Sequence, residues 1–236
     1  MIHVLWPTAR PTVASRQAHL WGAAAARQNH LRFTAAVDTD EQLAELKDFP
    51  GAKVKAPPGR PGVCRPATHL TTTLVADPKD VVVLASDDFL PARRWDVFLT
   101  TLLRQRDMAV VVNDGTLVTK PIVALPIMSA GVLAMLNGII YHPAYNHLYS
   151  DQELYYNLRE LKLLWDVRRS HSAMMFEHRH PGRRKRTADE IDARNQSLRD
   201  EDAATFARRT RLPLWRRLLS SEGSGPYGIV HHADAQ

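Results

Sequence analysis

Two adjacent carboxylates, Asp87 and Asp88, follow a continuous apolar run at residues 81–85. Such a run is typical of a strand that is buried on both faces of a sheet. Carboxylates at the end of such a strand can point into a cleft, where their oxygens can bind a hard divalent cation and bridge it to a diphosphate. Adjacent aspartates are also common in solvated turns and helix caps, so this interpretation needs support from other residues.

Two histidines, His178 and His180, lie in the sequence FEHRHP of residues 176–181. In an extended segment, side chains two positions apart point to the same side, and an imidazole can supply a further metal ligand. Arg179 between them can neutralise phosphate. The alternative is a polar loop with one histidine stacked on the core. Combined with Asp88, the pair favours a metal site.

The carboxylate of Asp151 lies at the start of a predicted helix. From that position it can face a cleft and remove a proton from an acceptor hydroxyl. Its neighbour Ser150 is followed three residues later by Glu153, which matches a capping box and accounts for those two residues without catalysis. Asp151 is therefore the better candidate for a general base.

Alternating strands and helices are predicted to position these side chains. Apolar runs predict strands near residues 2–6, 31–37, 80–85 and 108–112. Helices are predicted at residues 13–29, 41–46, 95–106 and 151–164. The alternation favours an α/β sheet with substantial parallel character, in which ligands bind beyond the carboxyl ends of the strands. The carboxylates that fall at these ends belong to Asp38, Asp40, Asp87, Asp88 and Asp114.

The composition is that of a folded globular protein. The chain has 236 residues, of which 44% are hydrophobic and 24% charged, enough for one domain with a substantial core and a C-terminal extension. Its longest apolar stretches, residues 81–85 and 130–141, are shorter than the roughly 20 residues of a membrane span. With one cysteine, Cys64, and no pattern of a signal peptide, we expect a cytoplasmic protein.

The charge balance is basic. The formal net charge is +6 and the pI is near 9.7, with the excess concentrated at residues 183–186, 208–209 and 216–217. Such clusters fit a polyanionic partner, and they fit equally a solvated face or phosphate contacts to a small donor. The change in composition after residue 182 predicts a catalytic domain at residues 1–182 and a basic helical C-terminal extension at residues 183–236.

Taken in order, short segments of the chain resemble glycosyltransferase family 2-like enzymes of the GT-A fold, in particular compact enzymes of bacteriophage type. The resemblance covers about residues 2–181 and rests on order and spacing rather than on a single motif. The segments are TARP at 8–11, VDTD at 37–40, ASDDF at 85–89 with Pro91 and Trp95, DG at 114–115, GIIYHPAY at 138–145, SDQE at 150–153 and FEHRHP at 176–181.

The resemblance implies a Rossmann-like, mixed and mostly parallel sheet flanked by helices, and a donor-metal site built on it. Asp88 matches the metal-binding aspartate of the family's Asp-X-Asp motif, whose first position is here Ser86. Asp87 would contact ribose or hold a metal-bound water. The late metal-contacting histidine matches His180, with His178 as the alternative.

Further residues follow from the same resemblance. Asp151 matches the family's catalytic base, and the reaction would invert the anomeric centre. Arg60 and Arg65 lie in an irregular loop, residues 57–66, that holds four prolines and two glycines, and they are candidate phosphate or base contacts. The residues expected around the nucleotide are Thr8, Arg10, Asp38 and Asp40.

The function predicted from these residues is metal-dependent transfer of a sugar from a nucleotide-sugar donor, with Mn²⁺ or Mg²⁺ as cofactor. A nucleotidyltransferase would need an N-terminal glycine-rich phosphate loop, and residues 6–16 contain no glycine. A non-enzymatic nucleic-acid-binding module would fit the charge but not the carboxylates at the strand ends.

The acceptor is not fixed by these residues. A hydroxylated base in phage DNA is favoured by the basic C-terminal extension and by the phage-type resemblance, because arginines would dock a duplex through its phosphates. A base inside a duplex would have to be flipped out to reach the cleft. A protein side chain and a surface glycan stay open as alternatives.

Overall fold

The computed structural model describes residues 1–60, 62–116, 119–171, 173–179 and 187–219. The strands are β1 (Ile2–Pro7), β2 (Leu31–Val37), β3 (Ala52–Lys55), β4 (Val81–Leu84), β5 (Phe89–Pro91), β6 (Ala109–Val111), β7 (Ile127–Ser129), β8 (Leu164–Asp166) and β9 (Phe176–His178). The helices are α1 (Pro11–Ala24), α2 (Asp40–Glu45), α3 (Cys64–Thr72), α4 (Trp95–Leu103), α5 (Ala130–Met135), α6 (Ser150–Glu160), α7 (Glu190–Ser197), α8 (Arg199–Arg209) and α9 (Leu214–Arg217).

Seven strands form a central sheet in the order β3-β2-β1-β4-β7-β6-β8. The first four are mutually parallel, β7 runs antiparallel to both of its neighbours, and β8 is parallel to β6. The carboxyl ends of β1, β2, β4 and β6 therefore lie at one edge of the sheet. This mixed, mostly parallel sheet flanked by helices confirms the predicted fold class.

The hydrophobic core lies on both faces of the sheet. Val4 and Trp6 of β1 pack into one cluster with Trp21 and Trp95, whereas Leu5 points into a second cluster on the other face. Trp21 contacts the other two tryptophans edge to face, at ring-centroid distances of 5.4 and 5.2 Å. In β4, Val81 and Val83 join the first cluster and Val82 and Leu84 the second, so this strand is buried on both faces as its sequence predicted.

Tertiary contacts set the ends of the helices. The helix predicted at residues 13–29 ends at Ala24, because the carboxylate of Asp96 accepts hydrogen bonds from the amides of Ala26 and Arg27 at 2.8 and 2.9 Å. α3 begins inside the proline-rich loop, with Pro66 in its first turn, where a missing N–H leaves no bond unmade. α6 ends at Glu160 rather than 164, since the chain turns into β8.

Of the predicted C-terminal extension the structure describes residues 187–219, which contain the helices α7, α8 and α9, and its boundary at residue 183 stays a prediction. Within the ranges that the structure describes, no helix combines the length and the apolar character needed to cross a bilayer.

Candidate active site

Asp88, His178 and Asp114 meet at the carboxyl edge of the sheet. β9 pairs with β5 in an antiparallel register that sets His178 opposite Phe89, and the two rings stack with centroids 4.2 Å apart. This pairing places Nε2 of His178 3.2 Å from Oδ2 of Asp88, just beyond β4. Nδ1 of His178 lies 3.7 Å from Oδ2 of Asp114, which follows β6. Three strand ends thus contribute one side chain each.

The charges of this cluster reinforce one another. Burial lowers the pKa of His178, but the hydrogen bonds and charges of Asp114 and Asp88 outweigh it, so the pKa lies above its usual value. Burial raises the pKa of Asp114, but hydrogen bonds from His178 and Thr116 bring it below the ordinary value. These shifts favour charged carboxylates beside a protonated His178, which must release its proton before its imidazole can bind a cation.

Asp87 turns away from Asp88 and holds the loop that follows β1. Its carboxylate accepts hydrogen bonds from Nε1 of Trp6 at 2.8 Å and from Oγ1 of Thr8 at 2.9 Å. Burial raises its pKa to about 6, although these two hydrogen bonds and the charge of Arg10 act in the opposite direction. Trp6 is a site residue that the sequence analysis missed, because its place in an apolar strand indicates only a core residue.

The side chains expected around the nucleotide fall into separate groups. Thr8 and Arg10 lie with Asp87, with Nη1 of Arg10 3.9 Å from its carboxylate. Asp38 follows β2 and forms an ion pair with Arg65, so the structure brings these two predicted residues together.

Two further nucleotide candidates form ion pairs outside that group. Asp40, in the first turn of α2, is exposed and pairs with Lys55 at 2.6 Å. Arg60 pairs with Glu201 of α8 at 2.6 Å and also donates to the carbonyl of Ala144. Their role in nucleotide binding stays a prediction.

Asp151 lies in the first turn of α6, with its carboxyl group buried. Burial raises its pKa, while the charge of His178 lowers it, so the two side chains lie within electrostatic range. Burial raises the pKa of Tyr141, and the nearby charges of Asp151 and Asp88 raise it further. A carboxyl group whose pKa is raised accepts a proton more readily, as a general base requires.

The capping box predicted for Ser150 and Glu153 is wrong. The hydroxyl of Ser150 donates to the carbonyl of His147, and no side chain caps α6. Glu153 is buried instead, accepts two charge-assisted hydrogen bonds from the guanidinium of Arg209 at 2.9 and 2.8 Å, and accepts another from the hydroxyl of Tyr145 at 2.5 Å. The local pattern was correct for a helix start, but a partner 56 residues away took the carboxylate.

A second buried carboxylate of α8 holds the loop before α6. Asp202 has no exposed surface, and its oxygens accept hydrogen bonds from three consecutive backbone amides. The donors are Asn146 at 2.8 Å, His147 at 2.9 Å and Leu148 at 2.7 Å, and the side-chain amide of Asn146 adds a fourth bond at 3.2 Å. α8 thus supports the segment that carries Asp151, and no sequence signal at Asp202 indicates this.

Part of the basic charge of the C-terminal extension is used structurally. In the pairs at residues 208–209 and 216–217, Arg209 binds Glu153, and the largely buried Arg217 binds Glu160. Arg208 and Arg216 are exposed.

His180 and the run at residues 183–186 lie outside the described residues, so the role of His180 as a metal ligand stays a prediction. Among the described histidines, His178 lies next to Asp88.

The donor set fits a divalent cation that takes its remaining ligands from substrate. Among the described residues, no group of three or more His, Cys, Asp or Glu side chains is arranged to hold a metal ion by itself. Asp88 and His178 offer one carboxylate and one imidazole side by side. A cation such as Mg²⁺ commonly binds through one or two carboxylates together with waters and substrate phosphates, and Asp88 supplies one such carboxylate, with the imidazole of His178 beside it as a further ligand.

Comparison with known proteins identifies the fold through solved structures alone. No protein-family model and no curated protein sequence matches the chain. Among solved structures, the glucosyl-3-phosphoglycerate synthase of Mycobacterium tuberculosis with Mn²⁺, UDP-glucose and phosphoglyceric acid has a TM-score of 0.58 and 14% identity, over 90% of this chain and 80% of that one. A mutant of Drosophila β1,4-galactosyltransferase 7 with manganese, UDP-galactose and xylobiose has a TM-score of 0.51 and 13% identity, over 80% and 75%.

TarS of S. aureus is also similar, with a TM-score of 0.57 and 12% identity, over 87% of this chain and 42% of that one. At such identities the likeness concerns the arrangement of the backbone. The chain has the GT-A glycosyltransferase fold, which confirms the fold that the sequence resemblance implied.

Proposed function

We propose that this protein is a metal-dependent glycosyltransferase that moves a sugar from a nucleotide-sugar donor to an acceptor hydroxyl. The observation that carries the proposal is the contact of Asp88 with His178 at the carboxyl edge of a GT-A sheet, with the buried carboxyl group of Asp151 within electrostatic range of His178. In open α/β sheets this edge is where ligands bind. Two structures of similar fold are complexes with a UDP-sugar and manganese, which supports this donor class.

The donor half of the proposed site is built from the loops after β1, β2 and β4. Thr8, Arg10 and Asp38 are proposed to contact the nucleotide, with Asp40, Arg60 and Arg65 as further candidate contacts, while Asp87 fixes the loop after β1. Asp88 and His178 would hold the divalent metal, with His180 as a further candidate ligand. Bound there, the metal would stabilise the negative charge on the departing diphosphate.

The acceptor half is proposed to depend on Asp151. The acceptor oxygen attacks the anomeric carbon, its proton passes to the carboxylate of Asp151, and the bond from the anomeric carbon to the diphosphate oxygen breaks. Attack from the side opposite the leaving group would invert the anomeric centre. Burial, which raises the pKa of Asp151, favours its proton-accepting role.

The metal and the donor class can be tested by calorimetry. We would titrate a panel of nucleoside diphosphates, beginning with UDP, into the protein with Mn²⁺ and with chelator. We expect Mn²⁺ to strengthen binding at least about tenfold, and Asp88→Asn to remove most of that gain because it removes a charged ligand. Asp200→Asn, an exposed aspartate of α8, is the control. Equal affinities in Mn²⁺ and chelator would contradict the metal assignment.

For the acceptor, we propose a hydroxylated base in DNA, of the kind found in modified phage genomes. The net charge of +6 and the run of four basic residues at 183–186 support this choice, as do the exposed side chains of Arg208, Arg211 and Arg216. Basic side chains bind a duplex through its phosphates without reading its sequence. A protein or surface-glycan acceptor is the alternative.

A further inference from the structure

Helix α7 begins with two aspartates that bind the guanidinium of Arg10. Asp189, the N-cap, accepts hydrogen bonds from Nε and Nη2 of Arg10, both at 2.7 Å, and Asp192 accepts one from Nη2 at 3.0 Å. The same two aspartates form a reciprocal capping box, each accepting from the other's amide at 3.0 Å. We call Asp189 and Asp192 the acidic cap. The cap therefore holds Arg10 and starts α7 with the same carboxylates.

α7 contacts the donor half of the proposed site through Arg10. Arg10 follows β1, and its side chain, 19% exposed, also lies 3.9 Å from Asp87. Further along the helix, the charge of Arg194 lowers the pKa of Asp38, against the larger effect of burial, so Arg194 lies within electrostatic range of the end of β2. The helix thus contacts or approaches the loops after two adjacent parallel strands, at the edge where a donor would enter.

The carboxylates of the acidic cap bind Arg10 in the way that a phosphate group of a donor would. A carboxylate accepts two parallel hydrogen bonds from a guanidinium in the same fork geometry that a phosphate uses. Asp189 makes this bidentate contact, and three carboxylates surround Arg10 when Asp87 is included. An incoming diphosphate would be repelled by these charges as long as the acidic cap stays in place.

We propose that the acidic cap is a self-masking contact of the donor site, in which Asp189 and Asp192 occupy Arg10 until a nucleoside diphosphate displaces them. This inference rests on the proposed function, since it takes Arg10 as a donor contact. The contact is suited to displacement because the side chain of Asp189 is 45% exposed, so that solvent partly screens its ion pair with Arg10 and an incoming anion can reach it. The cap would therefore weaken donor binding by a modest factor rather than abolish it.

The test compares UDP binding by calorimetry, in Mn²⁺, between wild type and the double variant Asp189→Asn/Asp192→Asn. Asparagine keeps the capping capacity, so α7 should persist, which far-ultraviolet circular dichroism would check. We expect the double variant to bind UDP about three- to tenfold more tightly. The matched control, Glu190→Gln/Asp200→Asn, removes two charges from exposed positions of the C-terminal extension. Its UDP affinity should stay within about twofold of wild type.

The outcomes distinguish a failure of the self-masking contact from a failure of the proposed function. Tighter binding by the double variant and not by the control supports the self-masking contact. Equal or weaker binding by the double variant overturns it, leaving the donor class intact and making the acidic cap a fixed anchor of α7. If neither wild type nor the double variant binds any nucleoside diphosphate, the proposed function itself is contradicted.

Discussion

Replacement of Asp202 offers a direct test of how α8 supports the segment that leads to Asp151. In wild type, one fully buried carboxylate accepts three backbone amides and one side-chain amide between residues 146 and 148. Asp202→Ala leaves these donors without their acceptor. Asp202→Asn keeps one acceptor oxygen but places an NH₂ group against amides that also donate.

The magnitude follows from the number of donors. A hydrogen bond to a charged group contributes about 1.5–3 kcal/mol, and contributions within one network are not additive, since water or local relaxation satisfies some donors. We therefore expect Asp202→Ala to lower the free energy of unfolding by about 4 kcal/mol and Asp202→Asn by nearly as much. For a chain of this size, that corresponds to roughly 10 °C in Tm.

Urea unfolding followed by circular dichroism would measure the change, with Asp200→Ala as the control. Asp200 lies in the first turn of the same helix but is exposed, so its loss should change the free energy of unfolding by less than about 0.5 kcal/mol. Hydrogen exchange should also accelerate at the amides of residues 146–148 before it does in the sheet. A loss below about 1 kcal/mol in Asp202→Ala would refute the reasoning.

Three further predictions concern the base, the pH dependence and the acceptor. Asp151→Asn should abolish sugar transfer while UDP affinity stays within a few-fold, and near-wild-type turnover would exclude Asp151 as the base. Burial, with the charge of Arg209, lowers the pKa of His142 to about 4. Below about pH 6.5 the unfolded state therefore binds more protons than the folded state, and stability is lost as the pH falls. Between about pH 7 and pH 5, His142→Asn should lose roughly 2 kcal/mol less than wild type in urea titrations, because asparagine does not titrate but can accept the amide of Ala144. Changing residues 183–186 to serine should weaken DNA binding in gel shifts and flatten its salt dependence, whereas salt-independent or undetectable binding by wild type would remove DNA as acceptor.

The sequence by itself determined the strands that build the edge of the site. The apolar runs that became β1, β2, β4 and β6 are local signals, because a strand buried on both faces must be apolar at successive positions. Polar residues directly after such runs must lie at the strand ends. Asp38, Asp87, Asp88 and Asp114 were therefore placed correctly at the carboxyl edge without any tertiary information.

The boundaries and partners of these elements were decided by contacts between distant segments. The end of α1 depends on the carboxylate of Asp96, and the fate of Glu153 depends on Arg209. In both places the local pattern allowed another answer, a longer helix or a capping box. A buried charged partner contributes more than a local cap, so the tertiary contact prevailed.

The tertiary structure alone decided which side chains form the cluster. His178 reaches Asp88 across 90 residues because β9 pairs with β5 in a register that sets His178 opposite Phe89, and Arg10 meets Asp189 across 179 residues because α7 returns to the end of β1. Residue types and spacing indicate which groups can do chemistry. They do not encode the register of a short strand pair or the path of a helix back over the sheet, since both depend on packing summed over the whole fold.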